Sequence, residues 1–513
     1  MAAPVMLVES EVEYDPISVE DLKLGLGEFE RALPRYKKAR AFYDGNVDEF
    51  IANSRLRRKL RATARAYRIN FANTPVDSLA ERLRIASITV QPEDADAVFQ
   101  AHWTAGRMLL RSRKTMLEAS KMGDAYLITW PETDDNGVIV DVHTWLNSPE
   151  NCRIIYDEDR PLVKKFAIKR WAVRGDRVRV DLYYRDRLEK LITKKGAKGT
   201  DAAEFERYFE DEDDREAWPE VNPFDKIPVF HFRNDEDYGN PEHEKFYGVQ
   251  MVLFKLIVAH MTGVDYQALP QRWKIANART GLSDASAVDA DTFAVDGTSD
   301  EDDEDESHLT SEPGALWDLK DTQSVGQFDS ANHLVFTDPM ITYLRMGAQI
   351  TSTPVHKIDP TGQVESGESR DTAEAPFTNK CLDRQDWHEA TWREWVEWVC
   401  ELLGSPAASV DVRWEPVTTK NDKDSWAVAA AKLDAGVPIQ VVMVEMNYEP
   451  DEVETWFADF DPDSEHDAKV LKAIGDALIV IGTAQTLGVV SPEQVQAIIA
   501  AVIGDEEGDD GED

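Results

Sequence analysis

Cysteine is scarce in this sequence, since only Cys152, Cys381 and Cys400 occur among 513 residues. An odd total without a short paired spacing excludes a disulfide framework and the usual zinc-binding arrangements. The three thiols are therefore predicted to be reduced, ordinary core residues.

Long apolar runs are also missing. The N-terminus lacks the basic stretch followed by an apolar stretch that marks a secretory signal, so the chain is predicted to stay in the cytoplasm of the cell that makes it. The most apolar late segment, 477–490, is interrupted by glycine, threonine and glutamine. It falls short of the roughly 18 unbroken apolar residues of a membrane span, and no membrane role is predicted.

Basic residues are few for a chain of this size. The 57 Lys and Arg residues are set against 98 Asp and Glu residues, which gives a net charge of −41. A conventional DNA-binding protein is excluded, because affinity for phosphate comes mainly from Lys and Arg. A protein that lets DNA slide past an acidic wall is not excluded. The alternative interpretation is that the charge only keeps the chain soluble.

One basic segment departs from this balance. Residues Arg55–Arg68 contain seven Lys and Arg and no acid. A contact with phosphate or with an acidic neighbouring subunit is one interpretation of the segment, and a solvated helix face is the other.

Catalytic motifs are absent from the sequence. No Gly-Lys-Ser or Gly-Lys-Thr forms a phosphate loop, and His243-Glu244 and His388-Glu389 each lack the second His of a metalloprotease. Ser366–Ser369 lacks the spacing of a nucleophile elbow. The sequence thus predicts no catalytic residue, no metal site and no cofactor. A nuclease built from scattered carboxylates and metal ions stays open as an alternative.

The hydrophobic periodicity predicts an α+β chain that is mainly helical. Residues 19–84 have helical spacing, whereas 125–228 contain strand-like runs with a hairpin mark at Asn136-Gly137. The predicted strands are Tyr126–Trp130, Val138–Trp145, Val163–Trp171, Arg177–Tyr184 and Val229–Phe232.

Two long helices are predicted on either side of an irregular region. The first runs from Phe246 to the break at Pro270 and forms a rod about 33 Å long at roughly 1.5 Å per residue. The second is predicted to begin after Pro339 and to end before Pro354. The region between them contains seven acids in a row, Asp300–Glu306, which predicts a solvated loop. A compact enzyme seldom interrupts its core in this way.

The remaining third of the chain is predicted to be mostly helical. Turn-forming residues predict a loop at Pro354–Glu368, and helical spacing follows over Asp371–Leu403. From Ser425 onward several short helices are predicted, followed by an acidic tail at 505–513 that does not fold alone. Four tryptophans of the long helix are predicted to pack in a core or an interface: Trp387, Trp392, Trp395 and Trp398.

Eight short stretches occur in a telling order between residues 43 and 403. They are Tyr43–Gly45, Asn73–Leu83, Gly123–Ile128, Ile227–Asn234, Tyr247-Gly248, Ala268–Ile275, Thr353–His356 and Ser366–Ser369. In this order they resemble the portal proteins of long-tailed double-stranded DNA bacteriophages, in particular an actinophage-like branch. The acidic block and the C-terminal region depart from the family pattern.

The resemblance implies a portal fold with wing, stem, clip and crown regions. The implied division is 1–245 wing, 246–269 first stem helix, 270–331 clip with an acidic insertion, 332–352 second stem helix, 353–369 tunnel loop, 370–420 wing helix and returning strand, and 421–513 helical crown with an acidic tail.

The resemblance also implies functional residues. His356, Lys357, Gln363 and Ser366 are expected in the loop that approaches DNA. The residues expected near the clip, where partners dock, are Gln271, Arg272, Trp273 and Lys274. For Lys357, a transient grip on phosphate and a salt bridge between subunits are equally compatible with the sequence.

The implied partners are those of a virion component. The resemblance implies a homo-oligomeric ring of about twelve subunits at one capsid vertex. The ring is expected to bind terminase, a head-to-tail adaptor, and the major capsid and scaffold proteins, and to let double-stranded DNA pass without sequence preference. The alternatives are a metal-dependent phage nuclease and a capsid-associated scaffold or adaptor protein.

Overall fold

The structure is a computed structural model, and it divides into two units, Met1–Glu415 and Pro416–Asp513. In the first unit it describes residues 18–46, 69–134, 138–209, 218–235, 238–268, 272–276, 322–327, 334–359 and 367–415. In the second unit it describes residues 416–417, 428–433, 435, 437–445 and 453.

Helices and strands are both present, and helical residues outnumber strand residues in the described part of the chain. The helices are α1 Val19–Tyr43, α2 Thr74–Ala80, α3 Glu93–Ala105, α4 Met108–Met122, α5 Tyr247–Ala268, α6 Leu334–Ile350, α7 Val355–Ile358, α8 Gly367–Leu402 and α9 Ile439–Glu445. The strands are β1 Ile85–Gln91, β2 Asp124–Thr133, β3 Ile139–Asn147, β4 Cys152–Tyr156, β5 Lys164–Val173, β6 Arg177–Tyr183, β7 Arg187–Thr193, β8 Phe205–Arg207, β9 Glu220–Val221, β10 Val229–Arg233, β11 Arg272–Ala276, β12 Thr322–Gln327 and β13 Ser409–Trp414. The predicted α+β class is confirmed.

A six-stranded antiparallel sheet forms the centre of the first unit. Its order is β4-β5-β6-β7-β8, with β9 also paired to β7. Alternate side chains of β5, such as Phe166 and Ile168, pack against Leu22 and Phe29 of α1, as the two-residue period of a strand requires. Gly25 permits this close approach, because a Cβ there would lie 2.7 Å from the Ile168 side chain.

A second, three-stranded sheet has the order β10-β2-β3. Tyr126 and Ile128 of β2 pack against the six-stranded sheet in one cluster with Ile154 and Ala167. A separate antiparallel pair joins β1 to β13, so the chain returns after α8 to its own early strand. All five predicted strands are confirmed, whereas the Asn-Gly turn lies outside the described residues.

The early helical prediction is confirmed at α1 and at the short α2. Residues 47–68, between these two helices, lie outside the described residues. After α2 the chain extends at once into β1, whose buried Ile88 and Val90 alternate with partly exposed neighbours. The basic segment Arg55–Arg68 lies outside the described residues.

Two short helical segments lie in the described part of the second unit. Residues 428–433 are helical, and α9 buries Ile439, Val442 and Met443. They correspond to helices predicted at Ser425–Ala435 and Pro438–Met446. The later predicted helices and the acidic tail lie outside the described residues, apart from the single helical residue Val453.

Candidate functional site

The most distinctive feature of the first unit is an antiparallel pair of helices, α5 and α6. Phe246, at the start of α5, lies against Gly347 near the end of α6, and His260 meets Phe336 with ring centroids 5.9 Å apart. The helix predicted from Phe246 to Pro270 is confirmed at Tyr247–Ala268. We call α5 and α6 the helical hairpin.

The beginning of α6 differs from the prediction. The helix starts at Leu334, five residues before Pro339, which therefore lies inside it. Proline lacks the N–H that would bond the carbonyl of Val335, so one hydrogen bond is lost. The missing hydrogen bond lies near the start of the helix, close to the first turn, where the backbone N–H groups have no partner within the helix in any case.

The base of the helical hairpin is packed and hydrogen-bonded to the body. Phe42 of α1 stacks on Tyr247 with centroids 4.0 Å apart. Gln250 of α5 accepts a hydrogen bond from the Phe71 backbone at 2.9 Å and donates to the Ile69 carbonyl at 3.1 Å. These contacts fix the direction in which the hairpin leaves the body.

The helical hairpin is poor in charge and keeps an exposed apolar stripe. Helix α5 has one lysine and one aspartate in 22 residues, and α6 has one aspartate and one arginine in 17. Charged residues make up 30% of the whole chain. On α6, Tyr343, Met346 and Ile350 are 38%, 52% and 47% exposed. Their three- and four-residue spacing places them on one helix face.

Beyond the hairpin helices, strands β11 and β12 pair antiparallel. The register joins Arg272 to Gln327, Trp273 to Gly326 and Lys274 to Val325. This ladder was not predicted, because the region was expected to lack regular structure. Gln271 lies outside the described residues. Partner docking by the four residues expected near the clip stays a prediction.

The segment after α6 is more ordered than the predicted loop. Two residues after the end of α6, Ser352 adopts the left-handed conformation at φ 48°, and the Thr353 N–H bonds back to the Ala348 carbonyl at 2.9 Å. Pro354 then leads into the single turn α7, and α8 starts at Gly367 rather than Asp371. The loop prediction for Pro354–Glu368 was therefore wrong at both ends.

Two of the four predicted channel residues are described. His356 and Lys357 lie on α7 with exposed side chains, whereas Gln363 and Ser366 lie outside the described residues. Lys357 forms an ion pair with Glu81 of its own chain at 3.0 Å. The imidazole Nδ1 of His356 lies 3.6 Å from the Glu374 carboxylate.

Ionic contacts also fix the segment around α7. The Lys380 ammonium on α8 donates to the Thr351 carbonyl at 2.6 Å and to Glu242 at 2.7 Å. Arg345 on α6 donates to the buried Asp359 at 2.9 Å. The end of the helical hairpin is thus joined to α8 and to the body.

The tryptophans of α8 differ in burial. Trp392, Trp395 and Trp398 are buried, and the Trp395 indole donates to the Thr129 hydroxyl at 2.9 Å. Their predicted packing role is confirmed. Trp387 is 44% exposed and does not belong to this core.

A buried polar network holds α1 against the sheets, and the sequence did not predict it. Asp124 accepts hydrogen bonds from Tyr36 at 2.6 Å, from Arg35 at 3.0 Å and from the His231 ring at 2.8 Å. Burial alone would raise the pKa of Asp124, but the hydrogen bond from His231 and the other partners lower it below its usual value. The carboxylate therefore stays charged and ties three elements together.

The cysteines behave as predicted. Cys152, Cys381 and Cys400 are free and buried. Burial raises the pKa of Cys152 and Cys381 to about 12, so both thiols stay protonated and unreactive at neutral pH.

Within the described ranges, no group of three or more His, Cys, Asp or Glu side chains is placed to hold a metal ion. A search of the same residues for a helix long and apolar enough to cross a membrane also finds none.

The comparison with protein families agrees with this architecture. The model described as "Phage portal protein, SPP1 Gp6-like" matches residues 26–443. This match covers well over half of the sequence and includes both helices of the hairpin. The chain belongs to this family of phage portal proteins, which confirms the resemblance at the level of the family; the actinophage-like branch stays a prediction.

A solved structure is also similar to this chain. A chain of the "Virion of native gene transfer agent (GTA) particle" has 12% sequence identity and a TM-score of 0.38, and the similarity covers 71% of this chain and 84% of that chain. At this TM-score the similarity carries no argument about fold or function. No curated protein matches the sequence.

Proposed function

We propose that this chain is a non-enzymatic portal subunit. About twelve copies form a closed ring at one capsid vertex, through which DNA passes during packaging and ejection. Membership of the phage portal family supports the structural role. The proposed ring is assembled in the host cytoplasm and becomes part of the virion.

The exposed apolar stripe of α6 carries the proposal. Tyr343, Met346 and Ile350 are exposed on one face of α6, although they are apolar side chains in a very acidic chain. Covering each half-exposed side chain by a neighbouring hairpin contributes about 1 kcal/mol. The same contact repeats at every interface of a ring, so the hairpins of adjacent subunits pack side by side and wall a channel.

The regions of the proposed subunit follow from the hairpin. Helices α5 and α6 form the stem within 246–269 and 332–352, and 270–331 forms the clip. The proposed wing consists of 1–245 and 370–420, and 421–513 forms the crown. Terminase and the head-to-tail adaptor dock at the clip, around Gln271, Arg272, Trp273 and Lys274, whereas capsid and scaffold proteins contact the wing.

Segment 353–369 is the proposed tunnel loop. The exposure of His356 and Lys357 on α7 supports an approach to DNA, with Gln363 and Ser366 nearby in sequence. The Lys357–Glu81 pair is largely exposed, and such pairs contribute only about 0–1 kcal/mol. A passing phosphate can therefore replace Glu81 at little cost.

The test is the assembly state of the purified protein and of two matched variants. Met346→Glu places a charge on the exposed stripe, and Leu162→Glu makes a matched apolar-to-Glu change at a 75% exposed position outside the helical hairpin. Negative-stain images and native mass are expected to show rings with a central hole for the wild type and for Leu162→Glu. The Met346→Glu protein is expected to stay largely unassembled, because a carboxylate must be desolvated at each contact.

Two results would contradict the proposal. If the wild-type protein forms only monomers or dimers, the proposed ring is refuted. Undiminished rings from Met346→Glu show that the stripe is not the stem interface.

A further inference from the structure

A stripe of basic and apolar side chains lies at the start of α4. Arg107, Leu110 and Lys114 follow a helical spacing and are exposed, and Leu109 and Leu110 are 42% and 57% exposed. The first turn of α4 carries no acid. Neither Arg107 nor Lys114 has an ion-pair partner in the described part of the chain. We call Arg107, Leu109, Leu110 and Lys114 the basic patch.

Helix α8 carries a stripe of the opposite character. Leu382 and Trp387 are 46% and 44% exposed, and Asp383 and Asp386 beside them are also exposed. Neither aspartate has a cation partner among the residues that the structure describes. We call Leu382, Asp383, Asp386 and Trp387 the acidic patch. The helix buries its other three tryptophans farther along, whereas Trp387 stays half-exposed with the Arg233 guanidinium 5.6 Å from its ring centroid.

The two patches are complementary in apolar character and in charge. Each has two half-exposed large apolar side chains, and two unpaired cations on α4 correspond to two unpaired carboxylates on α8. A contact between two copies of the same patch would bring like charges together, which is unfavourable. A contact between different patches of two copies repeats head to tail, as the subunits of the proposed ring require.

We infer that the basic patch of one subunit docks on the acidic patch of the next subunit. This inference rests on the proposed ring and adds a second contact to it, away from the helical hairpin. The apolar pairs cover each other, and the Arg107 and Lys114 side chains face Asp383 and Asp386.

Two double variants test the contact. In the first, Arg107→Glu and Lys114→Glu reverse the basic patch. In the second, Asp383→Lys and Asp386→Lys reverse the acidic patch. Each variant alone places like charges opposite each other at every interface, so we expect the concentration for half-maximal ring formation to rise about tenfold or more.

An equimolar mixture of the two variants provides the decisive measurement. In an alternating ring, each reversed patch meets a patch of opposite charge, so rings are expected to return at concentrations close to those of the wild type. A loss of ring formation that came from misfolding would not be rescued by mixing. Circular dichroism spectra and unfolding midpoints of the separate variants check folding independently.

The control is a double charge reversal elsewhere in the first unit. Arg174→Glu with Lys195→Glu changes two exposed cations outside both patches and is expected to leave ring formation unchanged. If the wild type forms no ring, the proposed function fails. Two results would refute the docking contact and leave the ring standing. In the first, the wild type and the reversed variants all form rings. In the second, the wild type forms rings but the mixture of variants does not recover ring formation.

Discussion

The packing of the helical hairpin can be tested with two glycines. A Cβ added at Gly347 of α6 would lie 2.3 Å from the Phe246 ring, whereas nothing lies within 4 Å of a Cβ at Gly248 of α5. Phe246 is fully buried and cannot move aside. Alanine is favoured over glycine in a helix by about 1 kcal/mol, but overpacking of this severity costs about 3 kcal/mol.

The two alanine variants should therefore change stability in opposite directions. Gly248→Ala is expected to raise the free energy of unfolding by about 1 kcal/mol, because only the helix propensity changes. Gly347→Ala is expected to lower it by about 2 kcal/mol, because the clash outweighs the propensity. Urea unfolding at one fixed protein concentration measures both, since assembly makes the midpoint depend on concentration. Equal midpoints would refute the close contact between the two helices.

Two further substitutions test the core around α8. Burial, with a smaller contribution from the charge of Arg384, lowers the pKa of His388 from 6.5 to about 3, so its contribution to stability is complete above pH 6.5 and is lost as the pH falls. At about pH 5 the loss of stability is about 2 kcal/mol. His388→Leu should remove this pH-dependent loss, which urea unfolding at pH 7.5 and pH 5 measures. Urea midpoints that fall equally in the variant and the wild type would contradict the prediction. Trp395→Phe removes the hydrogen bond to Thr129 and leaves a small cavity, so thermal unfolding should show a loss of about 2 kcal/mol. The exposed Trp387→Phe is the control and should change stability by less than about 0.5 kcal/mol.

The helical hairpin could be predicted because its signal is local. Apolar residues recur at helical spacing within each of the two helices. Leu253 of α5 and Leu344 of α6 belong to one apolar cluster at the hairpin base. The start of α6 was misplaced because proline inside a helix removes a hydrogen bond, which predicted that the helix begins after Pro339. Packing of the helix against α5 outweighs one missing hydrogen bond, and spacing alone does not report this balance.

Contacts between distant segments could not be predicted from periodicity. Tyr36, Asp124 and His231 meet in one buried network although about a hundred residues separate neighbours in the sequence. Similarly, the sequence spacing of the α8 tryptophans does not reveal that Trp387 is exposed whereas Trp398 is buried. Which part of a helix is covered depends on where the sheets lie, and that is a property of the fold.

The high net charge constrains how copies of this chain can meet. Charges on neighbouring subunits interact strongly only within about 10 Å at moderate ionic strength, so the 41 excess negative charges matter chiefly where surfaces touch. The hairpin helices carry one cation and one anion each, and the two patches on α4 and α8 carry opposite charges. A ring built from these surfaces keeps most of the acidic residues away from its contacts. In the proposed ring, the excess negative charge limits unwanted association between rings, and the scarcity of cations weakens binding to DNA.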